Sequence, residues 1–360
     1  MTSSLTQAGL EDASLVRYRR QILHRSLLLI LLMVLAAVAL VADIMIGSGT
    51  LSFGQVLKGL VDPGAVSDST RVIIWQLRMP MTVMAVLAGM GLALAGLLMQ
   101  IVLNNPLAEP LTLGISSAAG FGASLALAFN TSVLSALPFL NESLVVAGNA
   151  FFFSLITVGL ILLLAGRQMG LQTITLLGIA IHFVFSALLG LVQYLATADQ
   201  LQSMVFWMMG SLLRASWDKV QLTAVVIGVV VPLVLLKAWA LTALRSFGDE
   251  AAVFGINVRR LRILMLVAAA VMAGAVTSVV GIIGFVGLVA PHVARMMVGE
   301  DQRFLVGVTL ACGAIFMTVA SLVSKLVVPG VALPIGMVTS LIGLPFFIIL
   351  IIRDQRLSAR

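Results

Sequence analysis

Hydrophobic residues fall into about ten long runs separated by short polar connections. The runs cover roughly 27–46, 80–103, 112–130, 144–165, 173–196, 218–242, 261–282, 285–298, 304–327 and 335–352. A helix of about 20 apolar residues crosses the ~30 Å hydrocarbon core of a bilayer. The pattern therefore predicts an all-α, polytopic membrane protein with about ten transmembrane helices. The third run is rich in Gly and Ala, and the eighth is too short to span untilted. The chain is polar up to Arg25, and the first apolar core is longer than the 7–15 residues of a cleaved signal. A retained first helix is expected.

Between the sixth and seventh runs lies a polar island, residues 246–262. Asp249 and Glu250 open a short helical stretch, Gly255 stops it, and Arg259, Arg260 and Arg262 follow at the start of the next run.

Composition sharpens this picture. Only 10% of the 360 residues are charged, against roughly 25% in soluble domains. No polar stretch is long enough to fold separately. The expected organisation is a cytoplasmic tail over 1–26, a single membrane domain over 27–353 with the short helix at about 247–257, and a cytoplasmic tail over 354–360. With the N-terminus inside, Lys and Arg divide 15 inside against 6 outside, accounting for all 21. That bias predicts both termini, and the polar island, on the cytoplasmic side. It also explains the net charge of +7 without nucleic acid. Cys312 is the single cysteine, which excludes an internal disulfide and a cysteine metal cluster.

In the third run Gly114, Ala118, Gly122 and Ala126 recur every four residues, as expected of a face for close helix packing. Residues 89–122 and 268–299 echo one another. Each has an Ala/Gly-rich helix, a Pro-bearing break and a second helix, which suggests an inverted repeat. The expected breaks are 104–110, 281–284, Pro291-His292 and 333–336.

Several chemistries are missing. No Gly-Lys dipeptide occurs, so there is no phosphate loop for ATP hydrolysis. His24, His182 and His292 are scattered, and no metal site is expected. Asp43 sits near a span end rather than mid-membrane, which argues against an ion-coupled transporter or channel. An intramembrane enzyme would need a nucleophile–base or metal set that is not visible.

The segment Glu250-Ala251-Ala252-x-x-Gly255 resembles the coupling element of ABC importer permeases. Arg78-Met79-Pro80, Asn105-Pro106-Leu107-Ala108-Glu109-Pro110, Leu113-Gly114-Ile115-Ser116 and Trp207-Met208-Met209-Gly210 fit one family. So do the stretches 284–295, from Gly284 to Arg295, and 333–339, with Leu333-Pro334-Ile335-Gly336. The chain resembles, in order over about 27–353, the permeases of iron–siderophore, haem and cobalamin import, the type II importers.

That resemblance implies ten spans in a bacterial inner membrane and a pathway between two permease chains, identical or not. It also implies a cytosolic ABC ATPase dimer that uses ATP and Mg, and a periplasmic or lipid-anchored substrate-binding protein. No cofactor is expected on this chain. Asp249, Glu250, Ala251, Ala252 and Gly255 would contact the ATPase. Arg78 and Lys325 match outward positions that dock the binding protein, although Met81 stands where the family often has a second basic residue. Leu171, Gln172 and Thr173 match the cytoplasmic gate, with Leu171 departing from the usual small polar residue. Ferric siderophore is the expected cargo, with haem or cobalamin as alternatives. A secondary transporter or channel without an ATPase is the remote one.

Overall fold

The computed structural model describes residues 2–47, 51–129, 142–166, 170–328 and 330–358. Every element among them is helical. Seven helices are long and apolar enough to cross a membrane, and three shorter apolar ones join them, together matching the ten predicted runs.

The first helix, α1 (Thr2–Met45), begins well before the first apolar run, so residues expected as a tail are helical. Short helices α2 (Phe53–Val61) and α3 (Asp68–Val72) follow, then a π-helical stretch, Ile73–Arg78, leading into α4 (Met79–Val102). Next come α5 (Ile115–Phe129), α6 (Glu142–Ala165), α7 (Leu171–Leu195) and α8 (Ala198–Met208). The sixth apolar run is not one helix. It breaks at Lys237 into α9 (Trp217–Leu236) and α10 (Ala238–Phe247). The chain finishes with α11 (Val258–Val280), α12 (Val286–Val298), α13 (Gln302–Leu326) and α14 (Ile335–Ser358).

The interior is built around α4 and α11, whose apolar windows are 72% and 78% buried, whereas α1 lies outside at 17%. Two glycines two turns apart on α4 let its neighbours approach backbone to backbone. A Cβ on Gly89 would sit 2.1 Å from the Gly313 carbonyl oxygen of α13, and one on Gly96 would sit 1.9 Å from that of Gly287 in α12. Neither obstacle is a side chain that can rotate away. Gly96→Ala should therefore cost about 1–3 kcal/mol of stability. Gly228→Ala, on α9 where nothing lies within 4 Å, should be neutral or slightly stabilising. Thermal melting of the two purified variants checks this contrast.

The predicted stripe of small residues serves packing. Ala118 and Ala126 are buried, and Gly122 lies against the backbone of Asn149 in α6. Gly114 precedes α5 with φ +80° and packs on His182 of α7.

At about 1.5 Å per residue, α5 and α12 reach only ~20 Å, short of a bilayer core. Irregular backbone precedes each. In the first of these segments, Asn105 N–H donates to Gln100 and Ala108 N–H to Asn105. Thr112 N–H donates to Glu109, and the Asn105 side chain accepts from Leu107 N–H. Such backbone is tolerated at membrane depth only when satisfied and covered by protein. The two broken units, α4 to α5 and α11 to α12, are the echo seen in the sequence. Pro291, expected as a break, is instead accommodated inside α12.

Candidate functional site

The polar island forms a protruding turn rather than a regular α-helix. Residues Gly248–Phe254 are 3-10 helical, bounded by Gly248 at φ +57° and Gly255 at φ +78°. Gly255 N–H closes the turn on the Ala252 carbonyl. Ala251 is the fully buried foot of the turn. Asp249 and Glu250 are exposed, Val253 is 85% exposed, and Phe247 and Phe254 are each 50% exposed. Phe254 stacks at 5.1 Å on Phe247 and 6.5 Å from Trp239, which gives the apolar tip a fixed shape.

Two ion-pair systems tie this turn to the bundle. Asp249 Oδ1 lies 2.7 Å from Arg262 Nη1. Arg262 is buried while the carboxylate is 79% exposed, so α11 reaches out and holds the turn. In the sequence Arg262 reads only as one of three arginines at the start of the seventh run. The structure makes it the anchor of the turn itself, alongside Asn257, whose side chain caps α11 by accepting from Arg260 N–H. Replacing Arg262 by Met should leave the bundle folded and accelerate amide exchange over residues 248–255. Hydrogen-exchange mass spectrometry reads that directly. Unchanged exchange there would remove Arg262 from this role.

The second system starts at Arg245, on α10 just before the turn. Arg245 Nε and Arg295 Nε of α12 both approach Glu300 Oε1, at 3.2 and 3.0 Å. Arg295 Nη2 donates to Gln100 Oε1 of α4, and Gln100 Nε2 donates to the Gly287 carbonyl at 3.1 Å. Arg245 also donates to Asn104, a non-glycine residue at φ +45° where α4 ends. Neighbouring Asp301, the N-cap of α13, has its carboxyl held below the usual range, chiefly by the Arg303 guanidinium. These basic residues gather at one end of the bundle, as the charge bias predicted.

Leu171, Gln172 and Thr173 start α7 at this same end, behind Gly170 as N-cap. Gln172 and Thr173 are exposed and Leu171 half-buried. No ion pair ties them to the turn among the described residues.

Arg78 and Lys325 lie at the opposite end, but they do not project outward as expected. Both are buried, turned onto the C-terminus of α1. Arg78 donates to the carbonyls of Ile44 and Met45, and Lys325 donates to the carbonyl and carboxylate of Asp43. The last carbonyls of a helix have no partner within the helix and carry the negative end of its dipole. The α1 sequence has no basic residue in its last turn, so other elements supply the cations.

Three breaks converge between the two ends. Ser211 N–H donates to Val280, Ile335 N–H to Gly210 and Gly336 N–H to Met209. Beside this joint, a largely apolar cavity of about 530 Å³ is lined by Leu111, Met209, Ile282, Phe285, Met337 and Ser340, among others. Phe285 has φ +69°, and its N–H faces the buried Glu109 carboxylate.

A family model for the FecCD transport family matches residues 31–353. The chain belongs to the FecCD transport family. The Fe(3+)-citrate import system permease YfmE of Bacillus subtilis is 34% identical to this FecCD chain, over 92% of the chain and 97% of YfmE. The hemin transport system permease HmuU of Yersinia pestis is 35% identical, over 82% of the chain and 92% of HmuU. The vitamin B12 import system permease BtuC of Vibrio cholerae is 32% identical, over 81% and 86%. A solved structure of a metal-chelate type ABC transporter in an inward-facing conformation superposes with TM-score 0.78 and 28% identity. It covers 91% of this chain and 99% of that one. The fold is that of a type II ABC importer permease, and the chain is an ABC importer permease of the FecCD family.

Sequence reading of this FecCD chain missed Glu300, Gln100 and Asp43 as partners. The available signal was the acidic pair Glu300-Asp301, set among basic residues at one expected inner connection.

Proposed function

We propose that this FecCD chain forms half of a translocation pathway in an inner membrane, with both termini in the cytoplasm. In this reading it is driven by a separate ATPase dimer and imports a ferric siderophore. Residues 249–255 seat in the ATPase, and a second permease chain completes the pathway. A substrate-binding protein delivers cargo at the opposite end, and no ATP is hydrolysed by this chain. The observation that carries the reading is the protruding turn. It offers an exposed apolar tip and two exposed carboxylates while Arg262 holds its base.

Movement of that turn has a physical route inward. Arg245 precedes it directly and shares Glu300 with Arg295 of α12. α12 follows its N-cap Phe285, on the wall of the apolar cavity. A displacement at the ATPase surface would thus reach the cavity through the Arg245–Glu300–Arg295 ion pairs and α12. The gate assignment to Leu171, Gln172 and Thr173 fits their place at the start of α7, where Gln172 and Thr173 are exposed.

The relatives named above act on Fe(3+)-citrate, hemin and vitamin B12, which supports a large chelate as cargo. The test is reconstitution of the chain with its ATPase and binding protein in vesicles. ATP-dependent uptake of a ferric siderophore is expected, with hemin and cobalamin taken up poorly. Uptake driven by an ion gradient without the ATPase would overturn the mechanism. Preferred uptake of hemin or cobalamin would overturn the cargo alone.

A further inference from the structure

At the end opposite the basic cluster, the start of α9 and the outer turns of α5, α6, α8 and α11 enclose a second cavity of about 380 Å³. Its lining includes Arg214, Lys219, Ser143, Ser203, Phe206 and Trp207. Lys219 is only 6% exposed, and its ammonium donates to the Ser143 hydroxyl and the Arg214 carbonyl. Arg214 is half-buried. Its Nη2 donates to the Phe206 carbonyl, but its Nη1 is shielded from solvent without a hydrogen-bond partner. No carboxylate among the described residues pairs with either cation, and the neighbouring Asp218 is exposed.

Two recessed cations with no carboxylate paired to either among the described residues are costly, because each has lost hydration and gained only neutral acceptors. Arg262 and Lys325 are paired with aspartates and Arg295 with Glu300, whereas Arg78, like Arg214 and Lys219, is held by neutral acceptors. The Arg214–Lys219 cavity differs in bringing two such cations together, with one guanidinium nitrogen left without an acceptor. Its volume falls in the range of small-molecule sites, and apolar walls with a few convergent donors are the usual make-up of such sites. Recessed donors suit a ligand that enters the cavity better than an acidic side chain on a flat partner surface.

We infer that this cavity binds the carboxylate of a small organic anion. The Arg214 guanidinium and the Lys219 ammonium would donate to its oxygens, the serine hydroxyls would complete the shell, and Trp207 and Phe206 would pack on its apolar part. Charge-assisted hydrogen bonds of this kind are the strong ones. The inference stands on these side chains and does not depend on the transport reading.

The test uses the full chain, purified in detergent, with citrate as probe and acetate and inorganic phosphate as comparators. Titration calorimetry and tryptophan fluorescence follow binding. Saturable citrate binding is expected, tighter than that of acetate and weakened by salt. Arg214→Gln and Lys219→Gln should each weaken it about tenfold or more, as expected for loss of one hydrogen bond to a charged group. Lys219→Arg should retain it, and all variants should melt as the parent does. The proposal is overturned if the parent shows no saturable citrate binding, or if the double Gln variant binds as well as the parent. Phosphate binding more tightly than citrate would overturn the carboxylate assignment.

Discussion

Glu250→Arg should reduce ATP-driven uptake about 100-fold while the purified chain melts at its parental temperature. Glu250 is exposed and makes no ion pair among the described residues, so reversing its charge removes no contact within the chain. Its neighbour Ala251 is the buried foot of the turn, and Asp249 is held by Arg262, so the turn keeps its shape. The effect falls on whatever the turn contacts. A like-charge juxtaposition at an interface costs several kcal/mol, and about 2.7 kcal/mol already corresponds to 100-fold. The measurement is uptake in reconstituted vesicles, read beside the amount of ATPase that co-purifies. Parental uptake would exclude Glu250 from the coupling contact. A fall in melting temperature equal to that of Gly96→Ala would mean the residue is structural.

Lys325→Met should destabilise the chain by about 3–5 kcal/mol, the usual cost of leaving one partner of a buried ion pair uncompensated. The Asp43 side chain is 0% exposed and that of Lys325 only 4%, with 2.7 Å between Nζ and Oδ2. Thr82 also donates to Oδ2, whereas Oδ1 is buried without a partner. Removing the ammonium strands the carboxylate in a site with one hydroxyl to hold it. The double variant Asp43→Asn/Lys325→Met should recover most of the loss, because replacing both members of a buried pair is often close to neutral. Unfolding of the parent, both single variants and the double variant gives the cycle. This result separates two roles for Lys325. A residue that only docks a binding protein would lose affinity for that protein with stability unchanged. A residue that fastens α1 to α13 loses stability whether or not the partner is present.

These two residues also mark how far the sequence reaches. The charge of Glu250 and its setting between Gly248 and Gly255 could be read directly, and the structure keeps it exposed. Lys325 could be placed near the outer end of a span, but not its direction. A long cation at a helix end can reach water, lipid headgroups or a neighbouring helix with little change in local pattern. The choice here is made by Asp43, 282 residues away. Likewise, the apolar run at 218–242 carries no local stop at Lys237, and only packing shows that α9 ends there and α10 leads into the turn at 248–254.

The hydrophobic runs by themselves determined an all-helical membrane bundle, the number of its apolar helices and the end at which basic residues gather. Hydrocarbon burial and backbone satisfaction act over one helix length, so they are written in contiguous sequence. The ordered motifs, with the family match over residues 31–353, determined the class of machine. Tertiary structure alone decided that Arg262 holds the turn at 248–254, that Arg78 and Lys325 cap α1, and that Glu300 joins α10 to α12. It also decided that Arg214 and Lys219 share a cavity, with no carboxylate paired to either among the described residues. Charge pairing is a through-space interaction that weakens steeply with solvent exposure. Its partners are therefore set by which helices pack together, and no local pattern records them.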